Sequence, residues 1–221
     1  MIRFIDISNW QEGLDLTAVA PSIDAVAVKA TQGLWMVDWT CDPFVQKALE
    51  LGLPFAFYHF AEGEDPVREA DYFMQHTAGY FGKGIPVLDW EGTQQPEWVN
   101  AFVEHVHEVS GVWPWIYANP WRFTSEVNQN CMWWVASYPD YEHPTFNQAS
   151  AWEWPSAPGV VGAWQFCSDG RLSGYNHDLD CNLFDGDLTA WAAYAKGDNV
   201  EKSVERVVYE SDRVRVIEKE A

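Results

Sequence analysis

The chain has 221 residues, 48% of them hydrophobic, with 13 Lys+Arg against 33 Asp+Glu and a formal charge of −20. That length suits one large domain with a sizeable core. The negative field sets aside nucleic acid and anionic lipid as partners, with solubility as the plain reading of most of the acidity.

Aromatic residues reach 16%, 14 of them Trp, which leaves two uses open: an aromatic core, or a groove that stacks against flat faces such as sugar rings. No run of about twenty apolar residues is present, so no membrane insertion is expected. The opening stretch MIRFIDISNW lacks the basic, apolar and small-residue segments of a secretory signal, so synthesis in the cytoplasm is expected. Cys41, Cys131, Cys167 and Cys181 show neither CxxC pairing nor zinc-finger spacing. They read as small buried hydrophobes, a Cys167–Cys181 bridge being disfavoured in a reducing compartment. No metal and no cofactor is expected, and the oligomeric state is left open.

In chain order, short β-rich runs at 3–8, 25–31, 55–60, 85–91, 114–119, 132–138, 163–168 and 179–184 predict eight strands. Helical patterns at 43–51, 66–81, 96–110 and 120–127 fall between the early ones. Pro43, Pro66 and Pro96 follow Asp42, Asp65 and Gln95, as first-turn prolines do, and Gly52, Gly82 and Gly111 mark stops. Alternation of strand and helix predicts an α/β fold with a parallel sheet, and eight strands predict a closed, TIM-like barrel. The last three strands are joined by Pro/Ser/Trp-rich loops, so the final third should be irregular. An open doubly wound sheet is the rival, without a Gly-rich phosphate loop to support it. Residues 1–195 are expected to form the barrel domain, and 196–221 a charged tail or linker. Within that tail Val204, Val207 and Val208 suggest an amphipathic helix, and Val214 and Val216 a strand.

A parallel barrel carries its active site at the carboxyl ends of the strands. Polar residues gather there: Asp6, Lys29, Tyr58, Asp89 with Glu91, Tyr117, Trp134, Gln165 and Asp180. Any one of them is weak evidence, since a polar strand end commonly meets solvent. Several acids on one face are harder to dismiss, because clustered carboxylates repel and desolvate at a cost. In PVLDWEG, Asp89 and Glu91 stand two apart, which on a strand puts both on one face, roughly 6.6–6.8 Å along, with Trp90 behind. Such a pair cannot both ionise easily. Glu91, longer and nearer the rim, suits a proton donor, and the deeper Asp89 suits a carboxylate that stays charged; that division fits glycosidic cleavage. His59 between Tyr58 and Phe60 reads as a hydrogen-bonded core histidine, and no HxH or HExxH spacing supports a metallohydrolase.

Taken together, Phe4-Ile5-Asp6-Ile7-Ser8-Asn9-Trp10-Gln11, Val28-Lys29-Ala30-Thr31-Gln32-Gly33, Phe57-Tyr58-His59-Phe60, Val87-Leu88-Asp89-Trp90-Glu91, Trp115-Ile116-Tyr117, Trp134-Val135-Ala136, Trp164-Gln165-Phe166 and Asp180-Cys181-Asn182-Leu183-Phe184 resemble the family-25 glycoside hydrolases. These are lysozymes that cut the β-1,4 link after N-acetylmuramic acid in peptidoglycan. The resemblance implies an irregular (β/α)5(β)3 barrel with bacterial cell-wall peptidoglycan as its partner. It casts Glu91 as general acid, Asp89 as its companion, and Asp6 and Asp180 as the remaining acids of the cleft. Tyr58, Tyr117 and Lys29 match sugar-site positions, and Trp134 and Gln165 join them as expected substrate-binding residues. Gln32 stands where the family commonly has Glu. The resemblance also implies action on the cell wall, with holin-dependent release if the chain is phage-encoded. A non-catalytic carbohydrate-binding barrel, a chitinase-like glycosidase and a metal-dependent hydrolase remain as alternatives.

Overall fold

The computed structural model describes residues 1–197 and, as backbone alone, two strands at 205–211 and 214–219. The chain opens with β1 (Ile2–Ile7), a short α1 (Leu16–Val19), β2 (Ala25–Gln32), a two-residue β3 (Met36–Val37) and α2 (Cys41–Leu51). It continues through β4 (Phe55–Phe60), α3 (Pro66–Thr77), β5 (Ile85–Asp89), α4 (Pro96–Ser110), β6 (Trp115–Ala118) and β7 (Trp133–Ala136). Then come α5 (Phe146–Ala149), β8 (Val161–Gly170), β9 (Leu179–Phe184) and α6 (Leu188–Lys196).

All eight predicted strands form, and they pair in the order β1-β9-β8-β7-β6-β5-β4-β2, with β1 also pairing β2, so the sheet closes on itself. Neighbours are parallel except at β9, which runs antiparallel to both β8 and β1. The result is the mixed α/β barrel that the alternation predicted, irregular where β8 passes to β9 without a helix. β3 hangs on the end of the sheet as a hairpin with β2.

Three expectations need correction. The helix foreseen over 120–127 is a single 3-10 turn at Pro120–Arg122. Beyond it Thr124 Oγ1 accepts from the Glu126 amide and Asn128 Oδ1 from Asn130, local bonds that compete with a helix. The helix expected to run to 81 stops at Thr77, where Gly79 and Gly82 lower helix propensity and Gly82 adopts a φ of 78°. In the tail, the proposed helix begins within 198–204, outside the described residues. Beyond it, β10 (Glu205–Ser211) pairs antiparallel with β11 (Val214–Lys219), giving a strand where part of that helix was placed.

Period-two alternation sorts the side chains into two cores. Outward residues such as Ile5, Val28, Phe57, Leu88, Ile116 and Val135 pack under the helices. Inward residues Phe4, Val87, Trp115, Trp134 and Phe184 fill the barrel. Its lower end is closed by Trp191 of α6, whose ring meets Phe4, Trp115 and Phe184 at 5.3–5.6 Å between centroids. The aromatic core foreseen from composition is present, with Trp90, Trp115, Trp133, Trp134, Trp164 and Trp191 buried, while Trp10, Trp35, Trp39 and Trp121 are exposed. The four cysteines are buried and free.

Candidate active site

At the upper end the same alternation continues, but the inward positions turn polar. Asp6, Lys29, Tyr58, Asp89, Glu91, Tyr117, Trp134, Gln165 and Asp180 line one cavity of about 310 Å³, together with Trp10, Gln11 and Tyr138. Each of the nine residues singled out in the sequence therefore reaches the same space.

The acids occupy two walls. Asp6 on β1 stands opposite Asp180 on the antiparallel β9. Asp6 Oδ2 accepts from Gln165 Nε2 at 2.9 Å and Asn182 Nδ2 at 2.8 Å. Burial outweighs those donors, with a smaller push from Glu91, and raises Asp6 to about 6. Burial first and then the Asp6 charge push Asp180 higher, to about 9.

Across the cleft, β5 ends at Asp89, one turn of the alternation short of Glu91. Trp90 still donates its amide to Tyr117 O at 2.9 Å and buries its indole outside the barrel, bonded to Gln94 O at 3.0 Å. Glu91 then leaves the sheet and is exposed, its carbonyl held by Arg122 Nη2 at 2.8 Å. Gly92 leaves room for the Gln94 side chain, whose amide would lie 2.6 Å from a Cβ there, as it reaches back to Ala61 O. Asp89 is buried, and its Oδ1 has no hydrogen-bond partner among the described residues. Burial and then the Glu91 charge hold its carboxyl well above the usual range, Lys29 opposing. The deep position that was expected to keep Asp89 charged also removes the water that would stabilise that charge.

The remaining residues divide by what is left of their polar atoms. Gln165 Oε1 accepts from Tyr117 Oη at 2.7 Å and from Tyr138 Oη, while its amide serves Asp6. Trp134 is buried, with Nε1 donating to Asn182 Oδ1 at 2.9 Å. Gln165 and Trp134, expected to touch substrate, line the cavity and also belong to the bonds that orient Asp6. Tyr117 and Tyr138 direct their hydroxyl protons down into Gln165, leaving oxygen lone pairs toward the cleft. Lys29 Nζ donates to Gln32 Oε1 at 2.6 Å and lies 4.7 Å over the Phe60 ring. Gln32 passes the chain to Glu62.

Sequence reasoning gave no role to Asn182 or Tyr138. Asn182 follows Asp180 by two on one strand, so the alternation that joined Asp89 to Glu91 could have found it; Tyr138 stood at a strand end in plain view. His59 behaves as read: Nδ1 pairs with Thr31 Oγ1 and Nε2 with Glu69 Oε2, both at 2.8 Å, outside the barrel.

A β/α barrel whose mouth joins four carboxylic acids to aromatic hydroxyls and an exposed indole defines a barrel glycosidase. Residues 5–175 match the family described as glycosyl hydrolases family 25, and the chain belongs to that family. It is a glycosyl hydrolase of the lysozyme class. Among its relatives, the uncharacterized protein YegX of Escherichia coli K12 is 27% identical over 212 residues, covering 89% of this chain and 74% of that protein. The N,O-diacetylmuramidase of a Chalaropsis species is 28% identical over 191 residues, covering 75% and 84%. The bacterial lysozyme structure from Streptomyces coelicolor shares the fold, with a TM-score of 0.73 at 23% identity over 89% of this chain and 98% of that one.

Proposed function

We propose that the chain hydrolyses the β-1,4 bond between N-acetylmuramic acid and N-acetylglucosamine of bacterial peptidoglycan and acts at the cell wall. The observation that carries this reading is the pairing of a buried Asp89 with an exposed Glu91 in one cavity, facing the Asp6–Asp180 pair.

At rest burial favours the protonated form of Asp89. A sugar entering the cleft brings its 2-acetamido N–H to Asp89, which stabilises the carboxylate and moves the proton out to Glu91. Glu91 then protonates the leaving oxygen as the acetamido oxygen bonds to the anomeric carbon and the glycosidic C–O bond breaks. Asp89, now charged, faces the positive charge that develops on the acetamido nitrogen. Glu91, left as a carboxylate, accepts a proton from the water that opens this intermediate. Substrate assistance of this kind departs from the usual two-carboxylate scheme. Asp6, fixed by Gln165 and Asn182, and Asp180 form the opposite wall, with the lone pairs of Tyr58, Tyr117 and Tyr138 available to sugar hydroxyls and amides.

Mass spectrometry of the sugar ends released from purified cell wall tests the bond. New reducing ends on N-acetylmuramic acid are expected; cleavage of chitin oligomers without cleavage of wall would instead favour a chitinase-like enzyme. NMR of freshly released product tests the assisted route, which requires the anomeric configuration to be retained, and initial inversion would sink it.

A further inference from the structure

The hairpin that β3 forms with β2 is built inside out. From Trp35 to Trp39 the chain alternates, but Trp35, Val37 and Trp39 are the exposed side, at 64%, 44% and 58%, while Asp38 between them is buried at 2%. Folding alone would favour the reverse, with the acid in water and the indoles inside.

What fixes this orientation is a set of bonds to the cleft walls. Asp38 Oδ2 accepts from the Asn9 amide at 2.9 Å, next to the cleft-lining Trp10, and Oδ1 accepts from Thr40 N and Oγ1 at 2.9 and 2.7 Å. At the other end Gly33 donates to Phe60 O at 3.1 Å, and Gln32 links Lys29 in the cavity to Glu62. A Cβ at Gly33 would lie 3.2 Å from both Glu62 and the Trp35 indole, so Trp35 begins where that network leaves the cavity. The exposed tryptophans of the described residues, Trp10, Trp35, Trp39 and Trp121, all follow the carboxyl ends of barrel strands.

We infer that Trp35, Val37 and Trp39 form a sugar-stacking platform that holds the glycan strand outside the catalytic cavity. The platform rests on the proposed hydrolase function for the identity of that strand. Sugar rings present apolar C–H faces to an indole while keeping their hydroxyls in water, so they need no large dry surface. A protein partner does need one. Two indoles offer roughly 300–500 Å² even when fully covered, short of the ~800 Å² per partner of a stable interface. A second copy of the chain would also bring its own charge of −20 against this one.

Sedimentation with purified peptidoglycan sacculi tests this, using protein carrying Glu91→Gln so that the wall persists. Adding Trp35→Ala with Trp39→Ala should raise the sacculus concentration for half-maximal retention about tenfold, the equivalent of 1.4 kcal/mol. Adding Trp35→Phe with Trp39→Phe, which keeps aromatic faces, should restore most of the retention. Equal retention of the Ala and parent proteins overturns the platform. So does a fall in sedimentation coefficient with retention unchanged, which would assign the surface to a second copy. If the unsubstituted chain releases no sugar ends yet Trp-dependent retention persists, the hydrolase reading fails and the platform stands.

Discussion

In the lower barrel the inward side chains of β1, β5, β6 and β9 are Ile2, Phe4, Ile85, Val87, Trp115 and Phe184, closed from below by Trp191. At the mouth the same strands present Asp6, Asp89, Tyr117 and Asp180. One alternation produces both ends, and only the chemistry changes along it. The lower end removes large aromatic surfaces from water, the dominant favourable contribution to folding. The upper end removes carboxyls from water, which disfavours their ionised forms and lifts Asp6, Asp89 and Asp180 above the ordinary carboxylate range. Stability is thus concentrated at one end and chemistry at the other, in separable residues.

Substitutions at the two ends should move different quantities. The largest effect on chemistry is expected from Glu91→Gln, which should slow wall clearing by roughly 10²–10⁴-fold. Because Glu91 is exposed, its urea midpoint should stay with the parent; an active, folded variant would end its assignment as the acid. Trp191→Ala should do the converse. Opening the barrel floor should cost about 3–5 kcal/mol in urea unfolding, while the protein that remains folded at low temperature keeps its catalytic rate.

Asp180→Asn joins the two ends of the comparison. A carboxyl that stays protonated when folded but ionises when unfolded makes the folded state bind more protons. Its contribution is therefore complete at low pH and is lost as pH rises from the usual carboxylate range through about 9. The amide should abolish that decline, raising stability at pH 8 by about 1–2 kcal/mol, roughly 2–8 °C in Tm, while lowering activity. A melting curve as pH-dependent as the parent's would refute the burial argument. Smallest is Tyr138→Phe, which removes one of two hydroxyls on Gln165 Oε1. It should lower kcat/KM roughly three- to tenfold, and a pH profile displaced with it would indicate that Gln165 had released its hold on Asp6.

Much of this design was legible in the chain. The eight barrel strands were visible as apolar runs, and the polar residues at their ends all reach one cavity. Where reading failed, the deciding contacts were distant in sequence. β3 is two residues long and carries too little pattern to be seen, and α6 is recognised as the barrel floor only once Trp191 meets Phe4. The 3-10 turn at Pro120–Arg122 replaced a helix through bonds made by individual polar side chains.

The sequence by itself determined which face each strand residue takes, because a two-residue period needs no partner to define it. Tertiary structure decided which acids meet and how wet they are. Asp6 faces Asp180 only because β9 runs backwards beside β1, and Asp89 is taken out of water only because β4, β5 and β6 close around it. Spacing is local, whereas desolvation and pairing depend on everything the fold brings near.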